Sequence, residues 1–163
     1  MRVKGITPAL AVLLLAAFIL SGCSGGPSQS DPRKVVISLF GAMEKNDQAA
    51  LARILDLPAL MKNTQSDYAI QTDSPRVFTS PKEILDDLTD DGKTKKRWFS
   101  YQRIVNQAEV TGDHATVEVT FVDKAASKGY MTKFGLEKEN GKWRIYSFNT
   151  FQQAPSSEGE SSQ

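Results

Sequence analysis

Between residues 31 and 60 the apolar side chains recur with a helical period. Val35, Val36, Leu39, Phe40 and Met43 share one face of a helix that Ser30-Asp31-Pro32 is suited to start. Asn46-Asp47 restarts a second helix with Ala50, Leu51, Ile54 and Leu55 as its stripe, and Pro58 limits it. Residues 62–80 read as polar and irregular, with a short strand near Val77-Phe78. Ser80-Pro81-Lys82-Glu83 joins a capping box to an early proline, and Ile84, Leu85 and Leu88 supply the buried side of a third helix ending near Asp90-Asp91-Gly92.

From Trp98 the period changes to two. Trp98 to Val110 reads as a long strand, and Thr111-Gly112-Asp113-His114 as a turn. Ala115, Val117, Val119 and Phe121 then alternate with Thr116, Glu118 and Thr120. Tyr130, Thr132, Phe134 and Leu136 alternate with Met131, Lys133 and Glu137. Glu139-Asn140-Gly141-Lys142 carries the Asn-Gly hairpin signal and leads into a last strand, Trp143 to Phe148. Helices followed by a four-strand antiparallel meander predict an α+β fold. Its safest core positions are Trp143, Ile145, Phe134, Leu136, Val117 and Val119.

Ahead of this pattern stands a different one. Arg2 and Lys4 precede Ala9 to Leu20, an unbroken apolar run of twelve residues. Twelve residues suit the apolar region of a signal peptide and fall short of a spanning helix. Leu20-Ser21-Gly22-Cys23 follows, with the only cysteine of the chain. These four residues resemble the lipobox of bacterial lipoproteins. The resemblance implies diacylglyceryl transfer to the Cys23 thiol, cleavage before Cys23 and acylation, palmitate included, of the new amino terminus. A thiolate is the side chain best able to take the lipid, and two or three acyl chains anchor firmly where one is marginal. The location implied is the cell envelope: Ser24, in place of Asp, implies the periplasmic face of the outer membrane in a Gram-negative cell, and otherwise the outer face of the cytoplasmic membrane.

Four segments follow: residues 1–22 as signal peptide, 23–30 as lipidated amino terminus and tether, 31–151 as the domain, and 152–163 as a disordered tail without large apolar residues after Ala154. Ser24 to Ser30 (SGGPSQS) reaches at most about 25 Å when extended. Removing 22 residues from 163 leaves 141, and losing Arg2 and Lys4 from 20 basic residues leaves 18 against 19 acidic ones. That near-neutral balance does not suggest a nucleic-acid partner. One cysteine excludes an internal disulfide, and one histidine, His114, leaves little material for a metal or His-based catalytic set.

The layout, with "LFGAMEKNDQAALARIL" early and "GLEKENGKWRIYSF" late, resembles the NTF2-like superfamily of cystatin-like α+β domains, which many bacterial lipoproteins carry. The resemblance implies N-terminal helices packed on a curved four-stranded sheet, a conical pocket, and pairing of two copies through their sheets. Enzymatic relatives place an acid, or an Asp/His pair, inside the cone, where burial raises the pKa of a general base. Here His114 and Asp113 occupy a hairpin tip, and Glu118 and Glu137 alternate against the apolar faces. No catalytic residue, metal ligand or cofactor is therefore assigned. Asp87 to Gly92 brushes a calcium-loop pattern but has Trp98 where the twelfth-position Glu is required. Lys93, Lys95, Lys96 and Arg97 form a basic cluster in which each charge would add about 1 kcal/mol of attraction to anionic lipid, but they read first as a solvated charged loop, offset by Asp86, Asp87, Asp90 and Asp91 before it.

Tyr101, Tyr130, Asn149 and Phe151 are the candidate pocket-lining residues, on analogy with the fold. Apolar walls with a few polar groups suit a small apolar ligand or a peptide. The expectation is a non-enzymatic, membrane-anchored binding domain for such a ligand or for an envelope protein. The rival is an isomerase- or hydrolase-type enzyme with an acid in the cone.

Overall fold

The computed structural model describes residues 29–67, 78–123 and 128–152. Cys23, the leader, Val77 and the tail from residue 153 lie outside these described residues, as do the side chains of Asn149 and Phe151. Five helices precede four strands: α1 (Pro32–Glu44), α2 (Gln48–Ile54), α3 (Leu57–Asp67), α4 (Pro81–Asp87), α5 (Lys93–Phe99), β1 (Gln102–Thr111), β2 (His114–Asp123), β3 (Lys128–Glu139) and β4 (Lys142–Gln152).

Short polar side chains start the helices. Asp31 accepts from Lys34 N at the head of α1, with Pro32 directly behind it. Asn46 turns the chain at φ 56°, and Asp47 caps α2 by accepting from Ala50 N at 2.8 Å. Asp56 accepts from Ala59 N at 3.1 Å and starts α3. Pro58 thus stands in the first turn of a new helix, so 62–67, expected to be irregular, are helical. A proline there loses no helical hydrogen bond. Phe78 is buried outside any strand. Ser80 caps α4, and Glu83 reaches back one residue beyond the usual box, to the N–H and hydroxyl of Thr79.

The sheet is an antiparallel meander in the order β1-β2-β3-β4. Asn140 and Gly141, both at positive φ (50° and 76°), form the β3–β4 turn that an Asn-Gly pair favours. The direct pairs Ala115↔Leu136, Val117↔Phe134 and Phe121↔Tyr130 set one face of the sheet toward the helices. Ala115, Val117, Val119, Phe121, Phe134, Leu136, Trp143, Ile145 and Phe148 are buried there with Thr132. The six core positions expected from the alternation are all among them or, for Ile145, also bridged to Leu55. Each fully buried large side chain contributes about 1.5–3 kcal/mol.

Two irregularities bend the strands. Between Gly135 and Leu136 the pairing shifts, leaving Tyr146 and Ser147 as consecutive residues between inward Ile145 and Phe148. A Cβ on Gly135 would meet the Ser147 hydroxyl at 2.4 Å and the Tyr146 ring at 2.9 Å, so those side chains lie over the glycine. Between Val105 and Ala108 the β1–β2 register shifts as well. Arg33 of α1 donates to the carbonyls of Val105 (3.1 Å) and Asn106 (3.2 Å), satisfying acceptors at that irregularity and fastening α1 to the edge strand.

Candidate binding site at the Tyr101–Tyr130 end of the sheet

A carboxylate from the preceding helix holds α5. Gly92, at its N-cap position, has no side chain to offer. Asp87 supplies the acceptor instead: Lys93 N at 3.1 Å, Thr94 N at 3.4 Å and Thr94 Oγ1 at 2.5 Å. The approach is close. A Cβ on Gly92 would lie 2.2 Å from the Asp87 carbonyl oxygen. Capped in this way, residues 93–99 are helical, which corrects two expectations: the basic run is not a loop, and Trp98 and Phe99 do not open the strand, which begins at Gln102.

The last turn of α5 drives Trp98 into the cone. Its ring stacks on Phe121 at 5.6 Å and 26°, and meets Phe134, Phe148 and Phe40 edge-on at 5.6, 5.6 and 5.8 Å. Phe40 in turn meets Phe121 and Phe134 at 6.1 Å each. These five rings occupy the interior between α1, α5 and the sheet. Trp98 is 3% exposed, and its Nε1 has no hydrogen-bond partner among the described residues.

Aromatic and basic side chains gather outside this plug, at the end of the sheet where β1 begins and β4 ends. Tyr101 and Tyr130 are half-buried, with ring centroids 5.5 Å apart and tilted by 43°. The Arg97 guanidinium lies 6.0 Å from the Tyr130 centroid. The Arg103 guanidinium stacks on Phe99 at 3.9 Å, lies 5.4 Å from Phe40, and donates to the Trp98 carbonyl at 3.0 Å. Burial holds the Arg103 pKa below its ordinary value, with the Glu44 carboxylate opposing that shift. Arg97 and Arg103 form no ion pair among the described residues. Asn149 and Phe151 stand at backbone positions opposite Lys133 and Met131, whereas Tyr130 stands opposite Phe121 and Gln152. The structure thus brings Tyr101 and Tyr130 together.

Arg97 and Arg103 were missed from the sequence. One signal was available for Arg103: in β1 it has the same alternation as inward Val105, a position where a charge is unusual.

A cleft of about 340 Å³ elsewhere is lined by Phe78, Glu83, Asp86, Asp87, Asp91, Gly92 and Lys93. Its acids are engaged. Glu83 accepts from Thr79, Asp86 from Lys82 at 2.6 Å and Gln48 at 3.1 Å, and Asp87 caps α5. Asp91 pairs with Lys96 at 2.9 Å. Among the described residues no group of three His, Cys, Asp or Glu side chains is arranged to hold a metal ion. His114 opens β2 beside the Gly112–Asp113 turn, and Glu118 pairs with Lys133 at 3.0 Å on the face of the sheet away from the helices.

No family model matches the chain, and no curated protein sequence matches it. Solved structures do. The structure named Rd1NTF2_05, a form with five substitutions, is 16% identical, covers 73% of this chain and 95% of its own, and superposes with a TM-score of 0.50. NTF2-like proteins of unknown function from Silicibacter pomeroyi (18% identity, 73% of this chain and 90% of that chain, TM-score 0.45) and Shewanella baltica (13%, 74% and 90%, TM-score 0.44) are also similar. The helix-then-meander order and the fit to the first of these structures establish the fold of this chain as an α+β NTF2-like cone.

Proposed function

We propose that the chain is a lipid-anchored, extracytoplasmic binding domain without catalytic activity. Its site is the end of the sheet where β1 begins and β4 ends, around Tyr101, Tyr130, Arg97 and Arg103. The observation that carries this reading is the five-ring plug headed by Trp98. A buried acid or base working in the cone would need the space these rings occupy. The inward strand positions named above are apolar except for Thr132 and Arg103, and neither is a carboxylate or an imidazole.

What remains for recognition is a rim of two tyrosines and two guanidiniums. That combination suits a small molecule or peptide with an apolar or aromatic body, stacked on the tyrosines and held by donor groups at one end. An envelope protein presenting such a segment meets the same requirements. Asn149 and Phe151 belong to the proposal as nearby strand residues. Pairing of two copies through the outer sheet face is part of it too, since Ile104 of β1 is 47% exposed. Anchoring is supported by Leu20-Ser21-Gly22-Cys23 behind its twelve-residue apolar run.

The test uses the full chain produced in a bacterium and extracted from its membranes with detergent. Native mass spectrometry of the wild type and of a Tyr101→Ala/Tyr130→Ala variant reads what co-purifies. The expected result is a bound species on the wild type that the variant loses while remaining folded. A species retained equally by both overturns the assignment of the site.

A further inference from the structure

Gln29 fixes where the chain leaves the domain. Its carbonyl accepts the Trp143 N–H at 2.9 Å, and its side-chain amide donates to the carbonyls of Arg53 (2.9 Å) and Trp143 (3.4 Å). Only five residues, 24 to 28, lie between an acylated Cys23 and this docked position, a span of six Cα–Cα steps. The two Cα atoms are therefore at most about 20 Å apart, and the Gln29 end of the domain must stay within that distance of the lipid headgroups.

The sheet fixes what lies at each end. Trp143 pairs with Lys138, next to the Asn140–Gly141 turn. Lys138 N donates to Asp113 O at 2.8 Å, which brings the β1–β2 turn to the same pole. At the other end of β4, Gln152 pairs with Tyr130. Nine residues of strand separate Trp143 from Gln152, roughly 30 Å.

Two basic clusters compete for a bilayer. The cluster of α5 lies toward the Tyr101–Tyr130 end and is engaged except for exposed Lys93: Lys96 pairs with Asp91, Lys95 donates to Asn46 Oδ1, and Arg97 lies by Tyr130. At the pole where the chain leaves, Arg53, Lys138 and Lys142 are exposed and form no ion pair among the described residues, although Lys138 lies 5.6 Å from the Trp143 ring. Asp113, Glu137 and Glu139, the last opposite Lys142 and paired with Arg144, stand at that pole as well, so its attraction for anionic headgroups is modest and the short tether sets the orientation.

We infer that the β3–β4 hairpin pole, with Arg53, Lys138 and Lys142 around the exit at Gln29, faces the lipid surface, so that the Tyr101–Tyr130 rim is held roughly a strand length away, open to the aqueous compartment. This orientation rests on the acylation of Cys23 proposed above. It deepens that reading: the ligand is taken from solution and not from the bilayer.

The experiment uses the full acylated chain in vesicles of phosphatidylcholine and phosphatidylglycerol in a four-to-one ratio, with an energy acceptor on the lipid headgroups. Lys142→Cys and Gln102→Cys variants each carry a donor dye. Both positions are exposed, at opposite ends of the sheet. With Cys23 acylated, each introduced thiol is the only free one. Roughly twofold greater quenching at 142 than at 102 is expected from the strand-length offset. Vesicle-bound protein with equal quenching, or greater quenching at 102, overturns the orientation alone. Protein that does not float with the vesicles overturns the anchoring reading, and the orientation with it.

Discussion

The Gln29 carbonyl accepts the Trp143 N–H at 2.9 Å, so the incoming chain is stitched to the start of the last strand. The Gln29 side chain adds bonds to the Arg53 and Trp143 carbonyls. Gln29→Ala keeps the backbone contact and removes these two. The expected cost is about 1 kcal/mol, read by urea denaturation. Faster exchange of the Trp143 amide should accompany it, and unchanged exchange would contradict a stitch at this point.

Trp98 is the side chain on which the plug depends. Trp98→Ala should cost about 3–5 kcal/mol, as large truncations in a core do. Trp98→Phe is the informative companion. It loses volume but also removes a buried Nε1 that has no partner, a group whose burial itself costs about 1–3 kcal/mol. Its net cost should be near 1 kcal/mol, measured by thermal or urea unfolding.

The approach of Gly92 to Asp87 predicts two further effects. Gly92→Ala forces a methyl against a backbone carbonyl and should destabilise by about 1–3 kcal/mol. Asp87→Ala removes the cap of α5 and should cost about 1–2 kcal/mol, with α5 amides losing exchange protection first.

Acid should loosen α4 from its cap outward. The pKa of Glu83 is lowered by the hydroxyl and then the N–H of Thr79, and that of Asp86 by Lys82 and then Gln48. Both carboxyls are depressed in the folded state. Their contribution is therefore complete above the unfolded carboxylate range, about pH 4, and disappears as pH falls through the folded values below it. Amide exchange across residues 79–88 should be flat between about pH 5 and 8, after correction for intrinsic rates, and rise only in stronger acid.

The alternation of residues 115–148 made the sheet, its Asn-Gly turn and its core legible, because a strand with one buried face carries its register in every second residue. The helix starts at Asp31, Asp47 and Ser80 were legible for a similar reason: each cap is local. α5 was not. Its cap comes from Asp87, six residues upstream of Lys93, and Trp98-Phe99 have the composition of a strand. α3 is readable in principle, since Asp56-Leu57-Pro58 is a cap followed by an early proline, but a proline after an apolar stripe reads equally as a stop. At the candidate site, Tyr101 and Tyr130 rest on analogy with the fold, and what the structure adds is their ring contact at 5.5 Å. Arg97 and Arg103 required knowing that α5 folds over the start of β1.

The most direct test of the account is the mass of the amino-terminal peptide from natively produced protein. A peptide beginning at Cys23 and carrying a diacylglyceryl group on its sulfur, lost together with membrane association in Cys23→Ala, is the predicted result. A soluble protein whose first peptide begins elsewhere, or begins at Cys23 with a free thiol, would contradict it.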